Sequence, residues 1–122
     1  HSTLYSRSTI GFSDFSEEER NNFQPVQQRL VRIHPTTGRK SLFLSAHAGA
    51  IVGWDIPEAR SLLFELNEHA TQREFVYTHK WKKYDLVMWD NRQTMHRVRR
   101  FNDTEESRDM RRTTIAGDDS TI

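Results

Sequence analysis

One histidine and two arginines near the end of the sequence carry the side chains best suited to chemistry. His96 lies in the stretch TMHRVRRF, and Arg108 and Arg112 lie four residues apart in RDMRR. A neutral imidazole is a common ligand of transition metals, and a guanidinium fork binds a carboxylate through paired hydrogen bonds. Together these side chains suit a site that holds a metal ion and an anion.

The strands predicted around these residues explain how they would be brought together. Four short segments, EFVYTHKW, YDLVMWD, TMHRVRRF and RDMRRTTI, predict an antiparallel sheet with tight or polar turns. Side chains alternate between the two faces of a strand. If residues 94–100 pair with the last strand in a hairpin, then His96, Arg108 and Arg112 lie on one concave face.

The preceding segments predict a second hairpin, in which VQQRLVRI and KSLFL flank the turn HPTTGR. His34 opens this turn and is predicted to be structural. The stretch FSDFSEEERNNF predicts a short helix with a capping box between Ser16 and Glu19. A longer helix is predicted from Pro57, because apolar residues recur at helical spacing at Ala59, Leu62, Leu63, Leu66 and Ala70.

Length and composition limit the class of protein. The 122 residues are enough for one domain, and 34% apolar residues predict a thin core. The net charge of +1 gives no overall attraction to nucleic acid or to a membrane surface. The sequence has no cysteine and no apolar run of the roughly 20 residues that a membrane span needs. We therefore expect a cytoplasmic protein, mainly β with one packed helix, and neither a membrane nor a nucleic-acid partner.

Two alternatives to an active site remain open on spacing alone. A histidine among arginines is often part of a solvated surface hairpin. Ten of the 18 basic residues fall between Lys80 and Arg112, which is also compatible with a basic hairpin that binds nucleic acid. Acidic residues interrupt this cluster and make a surface that binds a phosphate backbone less favourable, among them Asp103, Glu105, Glu106 and Asp109.

The same stretches resemble a known enzyme family. MWDNRQTMHR followed by RDMRRTTIAG is similar to the C-terminal signature of the taurine dioxygenase family of iron(II)- and 2-oxoglutarate-dependent dioxygenases. LVRIHPTTGRKSLFLSAHAG and EHATQREFVYTHKW match it in order, so the resemblance covers nearly the whole chain. It is greatest to members that act on aryloxyalkanoates such as 2,4-dichlorophenoxyacetate. The implied fold is the C-terminal part of a double-stranded β-helix, or jelly roll, with residues 1–122 forming part of one catalytic domain.

The resemblance also implies roles for individual residues. His96 matches the distant histidine of the family's iron-binding triad, and Arg108 matches the arginine that binds the far carboxylate of 2-oxoglutarate. Arg112 matches an arginine placed to hold the anionic group of the substrate. His47, in SAHAGA, occupies a position that lines the substrate pocket in relatives. Trp89 and Asn91 are expected to shape the site from behind these residues, and a purely structural place in the core is the alternative for Trp89.

One departure from the family pattern is important. The triad also needs a His-x-Asp or His-x-Glu pair, and none of the six histidines is followed two residues later by a carboxylate. The other two iron ligands are therefore expected upstream of His1. We predict that these 122 residues alone do not turn over.

The activity implied for the complete enzyme is oxidative. Iron(II), 2-oxoglutarate and O2 would be used to hydroxylate the carbon beside an aryl ether oxygen, which releases a phenol and glyoxylate together with succinate and CO2. The expected partners are a small anionic substrate and O2, with a homo-oligomer possible in principle. A family member acting on another anion, such as a sulfonate, and a non-enzymatic nucleic-acid module are the alternatives.

Overall fold

The structure is a computed structural model that describes residues 1–117. Short helices come first, a two-stranded hairpin follows, and a longer helix precedes an extended C-terminal region. In chain order the elements are α1 Thr3–Ser8, α2 Glu17–Asn22, β1 Val31–Ile33, β2 Lys40–Leu42, α3 Ile56–Ala70 and a single 3-10 turn, Arg73–Phe75.

The predicted hairpin of HPTTGR is confirmed. Strands β1 and β2 pair antiparallel, with Val31 opposite Leu42 and Ile33 opposite Lys40. Gly38 has φ of +67°, a backbone conformation that favours glycine, and its N–H donates to the carbonyl of His34 at 2.8 Å. The turn therefore closes directly on His34, which fixes that side chain beside the hairpin end.

The predicted long helix is also confirmed. α3 has a proline in its first turn, where a missing N–H costs no hydrogen bond. Its apolar face turns inward, because Ala59 and Leu63 are buried whereas Glu58, Arg60 and Glu65 are exposed. Among the described residues the buried hydrophobic core consists of these two side chains and Leu44, which lies just after β2. The core is as thin as the composition predicts.

The capping box of α2 forms as predicted. The Ser16 hydroxyl accepts from the Glu19 N–H, and the Glu19 carboxylate accepts from the Ser16 N–H, both at 3.1 Å. Glu19 also accepts from Arg7 at 2.9 Å, so one carboxylate joins α1 to α2. The two hydrogen bonds from Ser16 and Arg7 hold the pKa of Glu19 below its usual range.

The four strands predicted between residues 74 and 115 are a wrong prediction for this structure. The described residues beyond Phe75 form turns at 83–84, 91–93 and 103–105 and otherwise follow an irregular or extended course with no strand pairing. A strand is defined by hydrogen bonds to a neighbour about 4.8 Å away. These segments do not lie beside one another as ladders, so alternating apolar residues alone do not produce a sheet.

The extended region also leaves apolar side chains uncovered. Leu86 is 91% exposed and Met88 is 86% exposed, although both lie in the segment YDLVMWD. Such residues normally pack against a second layer. The fold class is therefore confirmed only in the hairpin and the packed helix. Within residues 1–117, no helix combines the length and the apolar character that crossing a bilayer requires.

Candidate functional site

His96 lies on the extended region and packs against an indole. Its ring centroid is 4.7 Å from that of Trp89, and the two planes are inclined by 54°. The indole N–H of Trp89 donates to the Asn91 side-chain oxygen at 2.8 Å, which holds the indole in place. Neither nitrogen of the His96 imidazole hydrogen-bonds to a described residue, and the residue is exposed. Both nitrogens are therefore open to a ligand or a metal.

Arg108 and Arg112 are exposed and have no carboxylate partner among residues 1–117. The Arg108 Nε–H donates to the sulfur of Met110 at 3.0 Å. This contact joins residues two apart, as expected for side chains on one face of an extended segment. The two guanidinium groups keep their forks available to an anion from outside the described residues.

The hairpin that was predicted to bring the three side chains together is a wrong prediction. Residues 94–100 do not pair with residues 108–115 within the described chain, so the hairpin expected to align His96, Arg108 and Arg112 does not form. No hydrogen bond or ion pair connects these three side chains in the described region. Neither of the two cavities detailed below is lined by them. Their convergence on one pocket stays a prediction from the sequence motif.

His47 lies at a separate cavity. Its Nδ1 hydrogen-bonds the Ser6 hydroxyl at 2.7 Å, and its carbonyl accepts from the Ser2 N–H at 2.8 Å. The cavity beside it has a volume of about 380 Å³, within the range of small-molecule pockets. His1, Phe23 and Phe43 line it with His47, and the His1 and Phe43 rings stack at 5.3 Å. An imidazole beside aromatic rings suits an aromatic ligand.

A second cavity, of about 200 Å³, lies between α1 and α3 and is lined by Tyr5, Arg60 and Leu63 among others. The Arg60 guanidinium lies over the Tyr5 ring at 4.9 Å and donates through Nε to the Gly49 carbonyl at 3.4 Å. Arg60, the one cationic residue among the described residues that line this cavity, is thus engaged with protein groups.

One polar network near the site was not predicted from the sequence. The His34 Nε2 lies 3.3 Å from the Asp90 carboxylate and 3.2 Å from an Arg92 nitrogen. The Arg92 guanidinium and the Arg92 backbone N–H together hold the pKa of Asp90 well below its usual range, and His34 contributes less. Asp90 and Arg92 lie two apart in a turn, an Asx-turn signal that the sequence does contain. His34, the partner of Asp90 that lies 56 residues away in the sequence, carries no such local signal.

The donor groups present fit one position of a metal site. His96 offers an imidazole with unengaged nitrogens, which suits a transition metal. Among residues 1–117 there is no cluster of three or more histidine, cysteine, aspartate or glutamate side chains able to enclose a metal ion. His96 therefore fits as a single ligand, in agreement with the absence of a His-x-Asp pair.

Comparison with protein families decides the classification. Residues 1–114 match the model described as taurine catabolism dioxygenase TauD, TfdA family. The chain belongs to this family. The predicted resemblance, made from the WDNR and RDMRR stretches, is therefore confirmed over almost the whole sequence.

Two curated relatives illustrate the match. The chain is 52% identical over 118 residues to the alpha-ketoglutarate-dependent 2,4-dichlorophenoxyacetate dioxygenase of Cupriavidus pinatubonensis, covering 97% of this chain and 41% of the relative. It is 40% identical over 124 residues to the (S)-phenoxypropionate/alpha-ketoglutarate-dioxygenase of Sphingobium herbicidovorans, covering 97% and 43%. This chain thus spans about two fifths of the length of these relatives.

A solved structure has a closely similar backbone. The crystal structure of AAD-2 in complex with Mn(II) and N-oxalylglycine matches the whole of this chain with a TM-score of 0.93 and 61% identity, and this chain covers 48% of it. The backbone of this chain is therefore closely similar to part of AAD-2, although residues 76–117 form no strand pairing among the described residues.

Proposed function

We propose that the complete protein containing this sequence is an iron(II)- and 2-oxoglutarate-dependent dioxygenase that hydroxylates an aryloxyalkanoate such as 2,4-dichlorophenoxyacetate. The observation that carries this proposal is the 52% identity to a dioxygenase named for that substrate, over 97% of the chain. The backbone similarity to AAD-2, whose structure holds Mn(II) and N-oxalylglycine, supports the metal and the 2-oxo acid. The products would be a phenol and glyoxylate, with succinate and CO2.

In this proposal the chain is the C-terminal part of a jelly-roll catalytic domain. Its exposed apolar residues, Leu86 and Met88 among them, would be covered by strands from the rest of that domain. His96 would supply one imidazole to the iron, and the other ligands would come from outside this sequence. The absence of cysteine agrees with a reducing compartment such as the cytoplasm.

Each of these basic side chains would act by holding a ligand in position. Iron(II), when bound, supplies the oxidising chemistry with O2. Arg108 would pair its fork with the far carboxylate of 2-oxoglutarate, and Arg112 would hold the carboxylate of the substrate so that one C–H faces the metal. His47, in its cavity with Phe43, would contact the aromatic end or the ether of the substrate. None of these guanidinium groups is engaged by a carboxylate of residues 1–117.

The family match favours an enzyme over the basic nucleic-acid module. That match extends over residues 1–114 and so includes the whole basic cluster from Lys80 to Arg112. A different anionic substrate remains the main alternative within the family, because an arginine fork binds carboxylates and sulfonates by similar geometry.

A substrate panel tests the proposal. The full-length protein, supplied with iron(II), 2-oxoglutarate and O2, is incubated with 2,4-dichlorophenoxyacetate, both phenoxypropionate enantiomers and an alkyl sulfonate, and phenol and succinate are quantified. Phenol formed in step with succinate, and lost in His96→Ala, supports the proposal. Succinate formed only with the sulfonate would replace the substrate class, and no succinate with any compound would refute the dioxygenase function.

A further inference from the structure

The His34 imidazole has four polar contacts that together determine its tautomer. Backbone N–H groups of Thr36 and Thr37 approach Nδ1 at 3.3 and 3.1 Å. Asp90 and Arg92 approach Nε2 at 3.3 and 3.2 Å. The side chain is only 11% exposed, so water does not replace these partners freely.

These contacts favour one arrangement of the protons. Nδ1 faces two N–H donors and must accept, so the proton lies on Nε2, where it can be donated to the Asp90 carboxylate. This tautomer satisfies three of the four contacts, whereas a proton on Nδ1 would satisfy only the approach of Arg92. A doubly protonated ring would oppose both turn amides. The geometry therefore favours His34 as a donor to Asp90 through Nε2 and as an acceptor at Nδ1.

Asp90, which His34 contacts, also holds the turn that precedes His96. Its carbonyl accepts from the Gln93 and Thr94 N–H groups at 3.2 and 3.1 Å, and its Oδ1 accepts from the Arg92 N–H at 2.8 Å. Trp89, directly before it, packs its indole on the His96 ring at 4.7 Å. A displacement of Asp90 would therefore move the indole on which His96 rests.

We propose that His34, as the Nε2–H tautomer, is a positioning residue that holds Asp90 and thereby sets the Trp89–His96 packing. Its consequence for metal binding rests on the proposed function, in which His96 is an iron ligand. Groups that orient a metal ligand from behind typically change metal affinity by about 10–100-fold when mutated. A histidine in the turn of the β1–β2 hairpin would then help to prepare the metal site.

Two substitutions separate this role from simple capping of the hairpin turn. The amide nitrogen of glutamine lies as many bonds from Cα as the histidine Nε2, so His34→Gln keeps a donor for Asp90 and loses the acceptor for the turn amides. His34→Asn does the reverse, because its side-chain oxygen lies at the level of Nδ1. A positioning role predicts that His34→Gln preserves the site, and a capping role predicts that His34→Asn does.

The experiment uses the full-length protein with ¹⁵N-labelled histidine. In the metal-free wild type, long-range ¹H–¹⁵N correlation spectra report the His34 tautomer, and the ring-proton shifts of His96 report its packing against Trp89. We expect the Nε2–H pattern for His34 and an unchanged His96 ring in His34→Gln. In His34→Asn we expect a shifted His96 ring and Mn(II) binding weaker by about 10–100-fold.

Several results would overturn the inference. An Nδ1–H or doubly protonated His34 in the neutral wild type contradicts it without any variant, even if a variant fails to fold. Equal losses in both variants, or an unchanged His96 ring in His34→Asn, would assign His34 to general structure. Wild-type protein that binds neither Mn(II) nor 2-oxoglutarate would refute the proposed function. The two NMR measurements need no metal, so they would still decide the role of His34 in that case.

Discussion

The imidazole of His96 rests on the indole of Trp89, with ring centroids 4.7 Å apart. The indole is itself held by Asn91, whose side-chain oxygen accepts its N–H at 2.8 Å. This arrangement restricts the His96 ring while leaving both of its nitrogens without a described partner. A neutral imidazole with accessible nitrogens is a common type of metal ligand, so His96 stays a candidate for that role.

Replacement of Arg108 tests the binding of the 2-oxo acid. In the full-length protein we expect Arg108→Ala to weaken 2-oxoglutarate binding by about 2–5 kcal/mol, the scale for removing one partner of a desolvated charge pair. The KM for 2-oxoglutarate is measured beside direct titration of the cosubstrate. Arg111→Ala is the matched control, because alternation directs its side chain to the opposite face. An unchanged KM in Arg108→Ala would remove this assignment.

Replacement of Arg112 should affect the other ligand. We expect Arg112→Ala to raise the KM for an aryloxyalkanoate and to lower kcat, because the reacting C–H is no longer held in position. The affinity for 2-oxoglutarate should stay near that of the wild type, and initial rates over a matrix of both concentrations separate the two effects. A variant whose defect lies wholly in 2-oxoglutarate binding would contradict the division of roles between the two arginines.

The depressed pKa of Asp90 predicts a part of the acid unfolding profile. Arg92 lowers this pKa in the folded protein, so the ionised carboxylate stabilises the fold at pH values above the unfolded pKa of about 3.9. That contribution is lost as the pH falls from there through the lower folded value. Urea unfolding at a series of pH values should show a shallower acid limb for Asp90→Asn than for the wild type. Identical slopes below about pH 4 would count against the network.

Gly49 should tolerate no side chain while Tyr5 is present. A Cβ at this position would lie 2.5 Å from a Tyr5 ring carbon, and the Arg60 guanidinium lies over the same ring at 4.9 Å. We expect Gly49→Ala to lower the free energy of unfolding by about 1–3 kcal/mol, the usual cost of overpacking. In a Tyr5→Ala background the same change should cost much less, and equal costs in the double-mutant cycle would contradict this packing.

Local patterns in the sequence were sufficient for the elements that depend on neighbouring residues. The capping box of Ser16 and Glu19, the hairpin turn at Gly38 and the apolar face of α3 each need only nearby side chains, and each formed as predicted. The strands of the C-terminal region did not, because a strand requires a partner that alternation does not specify. Period-two patterns in TMHRVRRF therefore predict an extended chain and not a pairing.

The candidate site could likewise be predicted only in part from the sequence. The spacing of His96, Arg108 and Arg112 left alternatives open, and the family was predicted from the resemblance of whole stretches such as MWDNRQTMHR and RDMRRTTIAG, which the match to residues 1–114 confirms. The hydrogen bond from His34 to Asp90 joins residues 56 apart and cannot be predicted from either local stretch. The arrangement of the three side chains around a ligand likewise depends on packing that the described residues do not supply alone.

A crystal structure of the full-length protein with Mn(II) and N-oxalylglycine tests the central claim most directly. We expect His96 to ligate the manganese and the Arg108 fork to bind the far carboxylate of N-oxalylglycine at about 2.7–2.9 Å. Arg112 should face the same cavity from the substrate side. Anomalous density for manganese at a site that excludes His96, or an Arg108 side chain directed away from the bound N-oxalylglycine, would contradict the account.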